Sequence, residues 1–172
     1  MNRKVLILLA LILITACSTS EEIKMAKLRI TSPDFKNNET IPSKFTCDGK
    51  NINPELNFYG IPSKTKSLVL IMDDPDAPSG TWAHWVLFNI PPTIAKIEEN
   101  TNAIEADLGK TSWRKLKYGG PCPPNGEHRY FFRLYALDST IDLEEPTREE
   151  LLEEIESHII EKAELIGLYE RK

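Results

Sequence analysis

Five side chains in two proline-rich neighbourhoods have the types that hold a small anion: Asp74, Asp76, His84, His128 and Tyr130. A neutral imidazole donates from one ring nitrogen and accepts at the other. When a carboxylate or carbonyl holds the first nitrogen, the second is left for a ligand. Two such rings beside a phenol suit a phosphate-like or carboxylate anion. Arg129 is placed to pair with Asp76 behind the site and keep it rigid, and Trp82 and Trp85, on either side of His84, offer apolar wall. The same groups have the elements of general acid–base work, but a His–Asp pair is common. No Gly-x-Ser-x-Gly elbow and no His-x-x-x-His metal pair accompanies it. Cys122, near His128, is a candidate nucleophile whose neighbours are prolines rather than cations or a helix amino terminus. These residues therefore predict ligand binding with no catalytic residue, no metal and no cofactor.

The elements that position them follow from apolar runs broken by proline. Leu68 to Met72 reads as a buried strand, which Asp73, Asp74, Pro75, Asp76 and Pro78 are expected to end in a stiff acidic loop. A second strand follows from Trp82 to Ile90. A second stiff loop carries Gly119, Gly120, Pro121, Pro123, Pro124 and Gly126, and His128 opens an aromatic-rich central strand running to Leu137. Leu28 to Ile30 is a short first strand. Residues 31–63 read as loops with brief extended pieces, a turn at Asp48-Gly49 and a strand around Leu56 to Phe58. Residues 91–112 are a polar excursion between core strands. The tail predicts a helix: Thr147 and Glu150 have capping-box spacing, Leu151, Leu152, Ile155, Ile159, Ala163 and Ile166 follow at helical intervals, and Gly167 is the stop. His158 falls on that helix as a structural or surface residue.

Arg3 and Lys4 precede ten apolar residues, Val5 to Ile14, too few for a bilayer span of roughly 20 residues. They fit the apolar core of a secretory leader. Leu13-Ile14-Thr15-Ala16-Cys17 resembles a bacterial lipobox, which predicts a leader over 1–16, lipidation of Cys17, a polar tether over 17–27 and one domain over 28–172. That address is the cell envelope, outside the cytoplasm. Without Arg3 and Lys4 the chain keeps 19 of its 21 basic residues against 26 acidic ones, a net of −7. Such a balance argues against nucleic acid as a partner. Two cysteines remain, Cys47 and Cys122, with one pairing open to them in an oxidising compartment; two buried thiols are the alternative.

Several motifs in order carry a resemblance: Asp74-Pro75-Asp76-Ala77-Pro78, His84-Trp85, Gly119-Gly120-Pro121-Cys122-Pro123-Pro124, and Gly126-x-His128-Arg129-Tyr130. With Cys47-Asp48-Gly49-Lys50-Asn51 and Thr147 to Leu152, they resemble the phosphatidylethanolamine-binding protein family, in its bacterial and archaeal Raf kinase inhibitor-like branch. The resemblance implies a mostly β fold: two antiparallel sheets with Greek-key connections, short helices and the carboxy-terminal helix. It implies a surface pocket of Asp74, His84, Pro121, His128 and Tyr130, supported by Asp76, Arg129 and Trp85. The ligands it implies are phosphate-like or carboxylate anions, phospholipid headgroups among them. The short link from Pro78 to His84 is like the microbial branch, so kinase binding does not carry over.

Three functions compete. The leading one is a lipid-anchored domain that binds a small anion and meets the membrane through its anchor. An inhibitor or interaction module for a protein partner such as a protease or kinase is second. A hydrolase using the Asp/His cluster is third. If the histidines bind the anion, affinity is expected to rise as pH falls from about 7.5 to 5.5.

Overall fold

A strand buried on both faces has no polar side to alternate with, and Ser67 to Asp74 is such a strand: all eight residues are buried. The structure, a computed structural model, describes residues 27–101 and 105–172. The predicted leader, the predicted lipidation at Cys17 and the predicted tether as far as residue 26 lie outside the described residues. In chain order the elements are β1 Arg29–Thr31, β2 Glu39–Thr40, β3 Leu56–Tyr59, β4 Ser67–Asp74, β5 Trp82–Ile90, β6 Lys96–Ile97, β7 Asp107–Leu108, β8 His128–Leu137, α1 Arg148–Ile155 and β9 Ile159–Tyr169.

They form two sheets. The smaller has the order β1-β3-β6 and the larger β2-β9-β8-β4-β5-β7. All neighbours run antiparallel except β2 against β9. The chain leaves β5, passes through β7 and the Pro-rich segment, and returns as β8 on the other side of β4. Ile30, Leu56, Phe58 and Ile97 of the small sheet pack with Leu70, Met72, Leu87, Phe132 and Leu134 of the large one in the main core. The opposite face of the large sheet, with Val69, Ile71, Val86 and Phe88, is covered by Leu151 and Ile155 of α1. Both faces of β4 and β5 are thus buried, which is why their sequences read as unbroken apolar runs.

Two expectations are corrected. Asp73 and Asp74 do not end β4 but lie inside it, 0% and 3% exposed. Burying a carboxylate costs several kcal/mol unless it is paired, and both are. Asp73 accepts from Nε of Arg133 at 3.1 Å and from Nε of Arg148 at 2.8 Å, which pins α1 to the sheet. The carboxy-terminal helix is also shorter than predicted. It starts as expected, with Glu150 N donating to Thr147 Oγ1 (3.3 Å) and Thr147 N donating to Glu150 Oε2 (2.8 Å). It ends at Ile155, and the chain continues as β9 along the whole of β8. The apolar residues at 155, 159 and 163 are four apart, a spacing that keeps one face in a helix and in a strand alike. The burial of Leu165, Gly167 and Tyr169 follows the period of two. His158 lies on a short 3-10 turn, Glu156–His158, with its Nδ1 2.9 Å from Asp138 at the surface.

Candidate functional site

The site sits at one end of β4, β5 and β8. The register of β4 on β5 passes from Met72–Trp85 to Asp73–Ala83, so β5 carries one extra residue there, and it is His84. A β-bulge re-aims a side chain, and the bulged imidazole is turned against the Tyr130 ring, with centroids 5.2 Å apart. His84 Nδ1 lies 2.7 Å from the Gly119 carbonyl, so this nitrogen carries the proton and donates, and Nε2 has no hydrogen bond among the described residues. His128, the first residue of β8, sets its Nδ1 2.8 Å from Asp74 Oδ2, which fixes the same tautomer. The other oxygen of Asp74 accepts from the Asp76 backbone N–H at 2.8 Å, so the acidic loop folds back on the carboxylate it follows.

Tyr130, two residues along β8 from His128, shares its face and is wholly buried. Its hydroxyl has no hydrogen-bond partner of ordinary geometry among the described residues. Burial raises its pKa, the nearby Asp74 charge adds to that, and the Cys122 backbone works against both. It therefore stays a neutral donor. The His84 pKa is lowered by burial, against the opposing pull of the Gly119 carbonyl and the Asp74 charge, and the ring is neutral at neutral pH. Arg129 clamps Asp76 with Nε at 2.9 Å, Nη2 at 2.7 Å and its backbone N–H at 3.0 Å, which holds the Asp76 carboxyl down to about 2.

The strip from Gly119 to Cys122 lies over His84 and is fastened to the loop at 43–51. Cys47 and Cys122 form a disulfide, with Cα atoms 5.4 Å apart. Cys47 N donates to Pro121 O (3.0 Å), Gly120 N to Asn51 Oδ1 (2.7 Å) and Tyr118 Oη to Phe45 O (2.8 Å). A Cβ on Gly120 would lie 2.3 Å from Phe45 O, so only glycine allows this approach. Pro121 is buried in the same strip, two residues after Gly119, whose carbonyl holds His84, and next to the bridged Cys122.

The structure thus brings together Asp74, His84, Pro121, His128 and Tyr130, with Asp76 and Arg129 beside them. The disulfide removes Cys122 as a thiolate nucleophile. Trp85 belongs to the main core, edge-on to Tyr118 at 5.4 Å. The aromatic wall against His84 is instead Trp113, at 5.0 Å and nearly perpendicular, with Trp82 packed behind it at 5.4 Å. Trp113 sits in a polar stretch without periodicity, and nothing in that stretch marked it. Among the described residues no three His, Cys, Asp or Glu side chains converge as a metal ion would need.

A profile of the phosphatidylethanolamine-binding protein family matches residues 31–170. The chain belongs to this family. A UPF0098 protein of Methanothermobacter thermautotrophicus is 51% identical over 143 residues, 80% of this chain and 95% of the relative. A UPF0098 protein of Chlamydia pneumoniae is 44% identical over 84% of this chain and 99% of its own length. Two crystal structures share the fold. A phosphatidylethanolamine-binding protein homolog from Chlamydia trachomatis has a TM-score of 0.81 at 41% identity, covering 85% of this chain and 99% of its own. E. coli YbcL, described as a member of the mammalian family, has a TM-score of 0.80 at 29% identity, over 86% and 100%. The two sheets are therefore the family's fold, and the histidine cluster stands at the ends of its central strands.

Proposed function

We propose that this family member binds a small phosphate-like or carboxylate anion between His84 and His128, a phospholipid headgroup being one source of such a group. The observation that carries the reading is a matched pair of imidazoles beside a buried phenol, each ring with Nδ1 held by the protein and Nε2 without a hydrogen bond among the described residues. Such an Nε2 accepts from a protonated phosphate or carboxyl oxygen while the ring is neutral, and donates to the anion once the ring is protonated. The carboxylate of Asp74 orients one ring and the Gly119 carbonyl the other, so little ordering is left for the moment of binding. The leader pattern and the disulfide both favour a lipid-anchored domain outside the cytoplasm.

Calorimetry with a phosphomonoester on His84→Ala, His128→Ala and His158→Ala tests the reading. The first two are expected to lose roughly 1.5–3 kcal/mol of binding each through a missing charge-assisted hydrogen bond. His158, on the surface, is the control and should leave affinity unchanged. Equal affinities in all three variants overturn the assignment.

A further inference from the structure

Between Leu108 and Gly126 the chain carries four cations, Lys110, Arg114, Lys115 and Lys117, and no carboxylate, in a protein whose formal net charge is −5. Lys110 pairs with Glu145. Among the described residues Arg114, Lys115 and Lys117 have no ion-pair partner. The turn that presents them is built rather than loose. Thr111 N donates to Lys115 O (3.0 Å), Lys115 N to Thr111 Oγ1 (3.2 Å) and Arg114 N to Thr111 O (2.7 Å). Ser112 is stitched to β5 in both directions through Ala83, at 2.8 and 2.9 Å. The turn holds Arg114 at φ 58°, a left-handed conformation that costs a non-glycine residue about 1 kcal/mol or more.

What the turn encloses is a cavity of about 290 Å³, lined by Trp113, Lys115, Lys117, Gly119, Gly120 and the Cys47–Cys122 disulfide among others. It shares two walls with the histidine site. Trp113 touches the His84 ring, and Gly119 is the residue whose carbonyl holds His84. A Cβ on Gly119 would come within 2.7 Å of the Trp113 ring, so the indole lies directly on that strip.

We propose that this cavity is a second anion subsite, and that the natural ligand is an organophosphate with two anionic groups. This rests on the reading of the histidine site above. One group sits between His84 and His128. The other crosses the edge of Trp113 to Lys115 and Lys117, so the two are separated by about the width of one indole. A lysine ammonium is a point charge on a flexible stem, suited to an outer phosphate or carboxylate of variable position, whereas the buried imidazoles fix the inner one. A soluble bisphosphate and a phosphorylated lipid headgroup both have this chemistry.

The test titrates the full-length chain in detergent with 1,4-butanediol bisphosphate and, in parallel, with butyl phosphate. Wild type is expected to bind the bisphosphate about tenfold more tightly or better. K115A/K117A should lose that advantage while binding butyl phosphate as before, and K115R/K117R should keep it. An advantage that survives K115A/K117A overturns the second subsite and leaves the histidine site standing. Binding of the bisphosphate that needs the lysines but not His84 or His128 overturns the histidine reading and leaves the second subsite. No binding of either compound overturns both. With the Cys17→Ser chain, which cannot carry the anchor, stronger retention on phosphatidylcholine vesicles containing a phosphatidylinositol phosphate than on phosphatidylcholine alone, lost on adding K115A/K117A, would support the subsite with a headgroup as its source.

Discussion

Replacing both Cys47 and Cys122 by serine tests how the roof of the site is held. The disulfide joins positions 75 residues apart. Closing a loop of that length removes about 4.4 kcal/mol of chain entropy from the unfolded state. With a urea dependence of about 2 kcal/mol per molar, the midpoint should fall by roughly 2 M. A domain of this size should also melt about 10–15 °C lower. Three hydrogen bonds join the same two loops independently of the sulfurs, so the folded arrangement should persist. Urea unfolding followed by tryptophan fluorescence reads the first effect. Hydrogen exchange at the Cys47 and Gly120 amides, which donate to Pro121 O and Asn51 Oδ1, reads the second. The expected result is a large loss of stability with both amides still protected in the folded protein. An unchanged midpoint would refute the entropic reasoning. Rapid exchange at both amides below the unfolding transition would show that the sulfurs, and not the hydrogen bonds, hold the roof.

Three other outcomes follow from the site and its supports. Asp73→Asn leaves Arg133 and Arg148 facing a neutral group, though each keeps a second partner in Glu164 and Glu149, and should destabilise by about 1–3 kcal/mol in urea unfolding; an unchanged stability would remove the network as an anchor of α1. The His84 pKa is lowered in the folded protein, so its contribution to stability is present above the ordinary value near 6.5 and is lost as pH falls through the folded value. The gain in affinity on acidification should accordingly lie mostly at the acid end of the window, with proton uptake on binding at pH 6. Calorimetry in two buffers of different ionisation heat detects that uptake, and it should be smaller in His84→Ala. Finally, Cys17→Ala should abolish labelling by a radioactive fatty acid and leave the precursor unprocessed; unaltered maturation would exclude lipidation at that residue.

Much of the fold was legible because the strands that carry it are hydrophobic without interruption. β5 runs from Trp82 to Ile90 and β8 opens at His128, as their sequences indicate. The tail misled because apolar residues four apart satisfy both periods, and the choice there was made by β8, which offers β9 ten residues to pair with. Asp73 misled for a related reason. Taken alone, a carboxylate marks a strand end, and the arginines that neutralise it come from 60 and 75 residues away. The polar members of the site were visible from residue type and from the prolines that stiffen their loops. Trp113 was not. Its position depends on Ser112 binding β5 and on Gly119, six residues on, leaving room for the indole, neither of which makes a periodic pattern.

The paired carboxylates of β4 have a consequence for how the chain finds its alignment. Asp73 and Asp74 are neighbours with the same chemistry, yet one belongs under α1 with two guanidiniums and the other beside an imidazole across the strand. A slip of β4 by one residue would put one carboxylate in the other's place and leave Met72 or Pro75 in the second place, facing the partners of the displaced aspartate. Hydrophobic matching alone resists such a slip poorly in a strand that is apolar on both sides. The two arginines on one face and the imidazole on the other act as a check that apolar packing cannot supply, since a misplaced carboxylate would remain buried and uncompensated at several kcal/mol. Out-of-register chains should therefore expose the end of β4 rather than compact around it, which makes this dipeptide a proofreading device for the central strand.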